Sequence, residues 1–139
     1  MHPRYWILCG ALLAAAGVAA GAFHSHGLEA FLNRRSPDPA ANLARMEHFE
    51  LAVQYHLVHA LGLVLCGLLG LHRPNLFVTL AGLAFLTGIA LFSGGLYLRA
   101  LGSDLPLPHL IPAGGVAYIL GWLLAAVAAL RSPGGSQGR

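Results

Sequence analysis

Residues 50–71 read ELAVQYHLVHALGLVLCGLLGL, a run long and apolar enough to cross a bilayer that nonetheless carries Gln54, Tyr55, His56 and His59. On a helix, Ala52, Tyr55, His56, His59, Gly62 and Cys66 share one stripe at three-and-four spacing, while Leu57, Leu61, Val64, Leu65 and Leu68 share another. The first stripe must look at protein and the second at lipid. His59 stands eight residues past Leu51, which at a rise of about 1.5 Å per residue puts it about 12 Å deep, near the bilayer midplane. Hydrocarbon offers no hydrogen bond there, so the other helices are expected to supply partners to this face.

The composition agrees with a membrane solvent. Of 139 residues, 57% are hydrophobic and only 9% charged, and the mean hydropathy of +0.68 lies outside the usual soluble range. The net charge of +3 comes from eight arginines and no lysine. They are scattered over loops and ends, which suits topology signals and headgroup contacts and lacks the basic face that nucleic acid requires. Two cysteines cannot make a disulfide framework. Cys9 and Cys66 fall at similar depth in antiparallel spans, so a bridge is geometrically open to them, with small packing side chains the preferred reading.

Working outward, residues 5–23, YWILCGALLAAAGVAAGAF, are about as long as a span must be, with Arg4 before them and an aromatic at each end. A cleaved secretory leader is the alternative, with Ala20-Gly21-Ala22 as the small-residue cleavage site. Against it, the apolar run exceeds the usual core of about 7 to 15 residues, and Gly10, Ala14, Gly17 and Gly21 line one face as a packing surface would. Residues 23–50 are polar, but Leu28, Phe31 and Leu32 form a short apolar stripe, expected as a helical turn or two in the membrane interface. Ser36-Pro37-Asp38-Pro39 breaks it, and Asn42 is the expected N-cap of the restart. His72, Arg73 and Pro74 make a tight turn into a third span, 76–98, whose face carries Thr79, Gly82, Leu86, Ala90, Ser93 and Tyr97. Ser93-Gly94-Gly95 allows close approach or a kink there. A loop over 99–108 holds Asp104, Pro106 and Pro108. The fourth span, 111–130, opens with Pro112, where a missing amide costs little, and lines up Gly114, Tyr118, Gly121, Ala125 and Ala128, with Trp122 inside that face. Residues 132–139 read as a disordered tail.

The fold class is therefore all-α: an integral membrane four-helix antiparallel bundle over 1–131, with a short interfacial helix between spans 1 and 2. Arginines tie across the two sides, Arg4, Arg73, Arg131 and Arg139 against Arg34, Arg35, Arg45 and Arg99. All five acids lie on the second side, which leaves the terminal side net positive and places both termini in the cytoplasm.

Eight histidines invite a metal reading, and His24, His26 and His48, with Glu47 and Glu50, lie toward one membrane face. Their spacing fixes no geometry, and no Cys or HExxH companion accompanies them. His56 and His59 share a face on which haem or copper could sit, but no midplane His or Met on another span offers the second axial ligand. No metal and no cofactor is expected, with His24, His26, His48 and His56 the candidates if one were present. Nor is an enzyme expected, since Ser93 lacks a nucleophile elbow and neither cysteine is activated. Tyr55, His59, Ser93 and Tyr97 are expected to form an internal polar cluster capped by His26. Gly17, Gly21, Gly94, Gly114, Gly115 and Gly121 are expected to pack helices. The cluster either bonds helix to helix or, as the alternative, lines a small-solute or proton conduit.

Four motifs in order, GAFHSHGL (21–28), FELAVQYHLVHAL (49–61), FSGGLY (92–97) and PAGG with a following GW (112–115, 121–122), resemble the small membrane family catalogued as domain of unknown function 423, whose animal members are called transmembrane protein 256. The resemblance runs from the first helix to the last. It implies four spans, a retained first span and cytoplasmic termini, and it carries no established biochemical activity. Position by position it marks Gly21, Phe23, His26, Gly27, Tyr55, His59, Phe92, Ser93, Gly94, Tyr97, Pro112, Gly114, Gly115, Gly121 and Trp122. His24 and His56 depart from the family's usual Gly and Gln. The expectation is a non-catalytic component of a bacterial inner membrane, in contact with lipid and acting through helix packing as a homo-oligomer or within a larger complex.

Overall fold

The computed structural model describes residues 2–72, 74–103 and 109–130. Arg73 of the expected turn, Asp104, Pro106 and Pro108 of the expected loop, and the expected tail over 132–139 lie outside the described residues. Four helices are long and apolar enough to cross a membrane: α1 (Pro3–Arg35), α2 (Pro39–His72), α3 (Leu76–Ala100) and α4 (Leu110–Leu130). The principal packings are between consecutive helices, α1 on α2, α2 on α3 and α3 on α4, and α2 touches α4 only lightly.

Local chemistry sets the helix ends. His2 caps α1, its Nδ1 accepting from the amide of Arg4 at 3.4 Å, and Pro3 takes a first-turn position that needs no amide. Ser36 is extended (φ −141°, ψ 127°), as the residue before Pro37 must be. The N-cap of α2 is Asp38, whose Oδ1 accepts from the amides of Ala40 and Ala41 at 3.0 and 3.3 Å. This corrects the expectation for Asn42: Pro39 opens the helix three residues earlier, and Asn42 is instead buried in the first turn, its Nδ2 donating to Asn33 Oδ1 and the Ser36 carbonyl. Asn75 caps α3 by accepting from Val78 N at 3.1 Å and reaches across to the Ala128 carbonyl of α4.

Two π-turns interrupt α-helical regularity, at His24–Leu28 in α1 and Ile89–Ser93 in α3. Each adds a residue to one turn and so rotates everything beyond it on the helix. In α1 the stretch Glu29–Arg35 continues the first span through the π-turn without a break, and Leu28 and Leu32 are fully buried against Phe49, Val53 and Ala100. The apolar stripe of this segment thus packs on protein, and the expected short helix is a continuation of α1.

The larger core joins all four helices through Trp6, Leu63, Cys66, Val78, Phe85, Ile89 and Tyr118. Rings seated on glycines set the helix spacing. Trp6 lies on Gly82, Tyr118 on Gly88, and Phe85 between Gly62 and Gly121. Among the expected packing glycines, Gly114 sits against the Phe92 backbone, where no side chain fits, and a Cβ at Gly121 would come within 2.5 Å of the Phe85 ring. Gly17 faces the end of Leu57, whereas Gly21, Gly94 and Gly115 would hold a Cβ at ordinary contact distance. Leu8, Leu12, Leu61, Leu65, Ile119 and Leu123 are exposed on the outside of the bundle, where a bilayer solvates them. Cys9 and Cys66 are free thiols.

Candidate functional site

The hydrogen-bonded polar side chains inside the bundle come from α2, α3 and α4, and α1 adds the buried Trp6 Nε1. On α2, the expected inward stripe is buried at Ala52, His56, His59, Gly62 and Cys66, while Tyr55 is 41% exposed. The π-turn of α3 ends at Ser93, which is completely buried and turned to α4. One helical turn later Tyr97 faces α2. On α4, all five residues of the small-residue face, Gly114, Tyr118, Gly121, Ala125 and Ala128, are buried.

These groups close into separate local bonds. Ser93 Oγ and the Tyr118 hydroxyl lie 2.9 Å apart and tie α3 to α4. His56 Nδ1 and the Tyr97 hydroxyl lie 3.2 Å apart and tie α2 to α3; His56 Nε2 is buried without a well-formed hydrogen bond, with the Leu13 backbone of α1 near the ring. His59 turns back on its own helix: Nδ1 donates to the Tyr55 carbonyl at 2.6 Å. Its ring is stacked on Tyr118 with centroids 3.4 Å apart, with Phe85 at 5.6 Å and Trp122 at 6.0 Å. Its Nε2 makes no hydrogen bond to a described residue.

The five residues expected to cluster are therefore not all brought together. Tyr55 and His59 are ring neighbours, Ser93 bonds Tyr118, and Tyr97 bonds His56. His26 is exposed on the π-turn of α1 and makes no hydrogen bond to a described residue, while His24, at the start of that turn, stacks on Phe49. The partners missing from the expected set are His56 and Tyr118. Their signal is the glycine spacing: Gly114 and Gly121 leave Tyr118 the only large side chain on an otherwise small face, as an embedded ring needs. Trp122, expected inside that face, is 41% exposed and reaches in to Phe85 and His59. Among the described residues no three His, Cys, Asp or Glu side chains converge as a metal site. His24, His26 and His48 stay near the outer ends of α1 and α2, while His56 is taken up by Tyr97.

Between α2 and α4, which touch only lightly, a groove of about 540 Å³ opens toward the side that lipid would occupy. Val58, Val116 and Ile119 form its aliphatic walls, Tyr55, Phe92 and Trp122 its aromatic ones, and the stacked rings of His59 and Tyr118 its floor. A smaller hollow of about 210 Å³ bordered by Gln54, Tyr55, Val58 and His59 adjoins it.

The family described as "Protein of unknown function (DUF423)" matches residues 20–115. The chain is 37% identical over 131 residues to a UPF0382 membrane protein of Staphylococcus epidermidis, covering 94% of this chain and 99% of that one. It is 36% identical over 129 residues to the UPF0382 membrane protein YwdK of Bacillus subtilis, covering 92% and 98%, and 30% identical over 115 residues to one from Haemophilus influenzae, covering 83% and 85%. No solved structure matches.

Proposed function

The chain belongs to the DUF423 family of membrane proteins, and from that premise we propose that it is a non-catalytic component of a bacterial inner membrane, both termini cytoplasmic, that acts by assembling with further transmembrane helices. The observation that carries this reading is the uncovered face of α1. One side of α1 packs on α2 through Gly10 and Gly17, while Ala11, Ala15, Ala19 and Ala22, at three-and-four spacing on another side, are all exposed. Small residues in that pattern let a second helix approach closely inside a bilayer.

The internal bonds support the same reading. Each joins one helix to a neighbour or to itself, worth on the order of 1 kcal/mol apiece, and holds the outer faces in fixed register. A conduit would need these groups joined end to end along the bundle, and they close in pairs instead. Disulfide trapping tests assembly. In a Cys9→Ser, Cys66→Ala background, Ala15→Cys and Ala19→Cys are expected to give a symmetric dimer, or a cross-link to a distinct subunit, in native membranes, and Leu13→Cys, on the α2 side, is not. A monomer with no cross-link and no co-purifying subunit removes the proposal.

A further inference from the structure

The groove between α2 and α4 has a feature that packing does not explain. A carbonyl only accepts, so the 2.6 Å contact with the Tyr55 carbonyl fixes the hydrogen of the His59 ring on Nδ1. In the neutral imidazole, Nε2 then carries a lone pair and must find a donor. His59 is only 4% exposed, no described residue donates to it, and its ring forms part of both the groove and the adjoining hollow. Nε2 is not among the fully buried unpartnered atoms, so it reaches the surface of the groove, and the bilayer beside it holds no donor of its own at that depth. An apolar molecule that carries a donor into the groove can meet it there.

The walls narrow its chemistry. The volume of about 540 Å³ is within the range of small-molecule sites. Besides Val58, Pro112, Val116 and Ile119, the surface offered is aromatic, from Tyr55, Phe92 and Trp122, and suits a planar ring that can take offset or edge contacts. An O–H on an aromatic ring is a stronger donor than an aliphatic alcohol, and a lone pair in apolar surroundings gains most from it. We propose that this groove binds a membrane-soluble phenol of the hydroquinone type, its hydroxyl donating to His59 Nε2, its ring against Tyr55, Phe92 and Trp122, and its aliphatic tail leaving toward lipid. This is binding alone and is independent of whether the protein assembles through α1.

The test compares decyl-hydroquinone with decyl-benzoquinone, which has the same tail and nearly the same ring but no O–H. The full chain is placed in lipid nanodiscs, and the ligand retained beyond that of empty discs is measured. Saturable hydroquinone binding is expected, about ten-fold tighter than quinone, which corresponds to about 1.4 kcal/mol and one hydrogen bond. In 15N-histidine-labelled protein a single Nε2 resonance should move with hydroquinone and stay with quinone. His59→Phe keeps an aromatic floor and should erase the ten-fold preference and the moving resonance. Gly115→Leu projects into the groove without touching the Ser93–Tyr118 bond, and should remove binding of both ligands with the thermal transition unchanged. Should His59→Phe not fold, Gly115→Leu decides by itself. Equal affinity for the two ligands, a preference that survives His59→Phe, full binding by Gly115→Leu, or no saturable binding overturns the proposal.

Discussion

The ring of His59 lies flat against that of Tyr118, centroids 3.4 Å apart and planes 14° from parallel, while the Tyr118 hydroxyl bonds Ser93 at 2.9 Å. One phenol on α4 thus meets α2 by its face and α3 by its oxygen. The light packing between α2 and α4 makes this stack the main link between them at mid-depth, and it is the reason that a groove can open beside it without separating the helices.

The Ser93–Tyr118 bond should be measurable by a double-mutant cycle. Tyr118→Phe keeps the stacked ring and removes only the oxygen; Ser93→Ala removes the other partner. Each alone should lower stability by about 1 kcal/mol, seen as a lower melting temperature in mild detergent. The double variant should lose no more than either single one, because the two groups share one interaction. Strictly additive losses would show that the 2.9 Å contact contributes nothing.

The glycines of α3 should behave in opposite ways. At Gly88 the Tyr118 ring occupies the place of a Cβ, so Gly88→Ala must push the ring off His59 and is expected to cost about 1–3 kcal/mol. At Gly94 the nearest atom to a Cβ is the Ile89 carbonyl oxygen at 3.6 Å. Gly94→Ala is therefore expected to be neutral or to stabilise by about 0.5–1 kcal/mol, since alanine loses less entropy in a helix. Melting curves of the two variants, recorded side by side, give the sign of each.

These contrasts mark where the sequence is informative. The four spans are legible from length and hydropathy alone, and the buried face of α4 can be read from Gly114, Tyr118, Gly121, Ala125 and Ala128, because small residues at helical spacing have few other uses in an apolar helix. The π-turns are not legible: one added residue changes the register locally and leaves no mark in the periodicity of IALFS or HSHGL. That is why the pairing of Ser93 with Tyr118, and the outward turn of His26, do not follow from a regular wheel. Trp6, second in the first span, is 1% exposed, since Gly82 on α3 provides a seat that only the tertiary structure reveals. Tyr55 belongs to the inward stripe by spacing and is 41% exposed beside the groove, where α2 and α4 touch only lightly.

The His56–Tyr97 pair predicts an unusual order of stabilities. Tyr97→Phe removes the side-chain partner of a buried imidazole whose other nitrogen makes no well-formed hydrogen bond and has the Leu13 backbone near the ring, and should cost about 1–3 kcal/mol. Adding His56→Leu removes the stranded polar ring and fills its place with an apolar side chain. The double variant should then be more stable than Tyr97→Phe alone. Thermal unfolding in detergent orders the two, and a double variant less stable than the single one would mean that His56 has a further partner in the bundle.

The start of α2 separates a cap from an anchor. Asp38 accepts from the amides of Ala40 and Ala41 in an exposed position, so Asp38→Ala removes a cap worth about 1 kcal/mol at a helix end with little buried surface around it. The loss should stay local, with faster hydrogen exchange at the first amides of α2 and an unchanged melting temperature. Asn42 is buried and holds the end of α1 to the start of α2 through Asn33 and the Ser36 carbonyl, which reach it from across the break at Pro37. Asn42→Ala should therefore leave the first amides of α2 protected by Asp38 while speeding exchange in Glu29–Arg35, the stretch whose Leu32 is pinned against Phe49 only as long as the two chain segments stay joined. If Asn42→Ala instead frays the first turn of α2 and spares Glu29–Arg35, then Asn42 is the cap after all, and the bonds assigned to Asp38 do not govern this end.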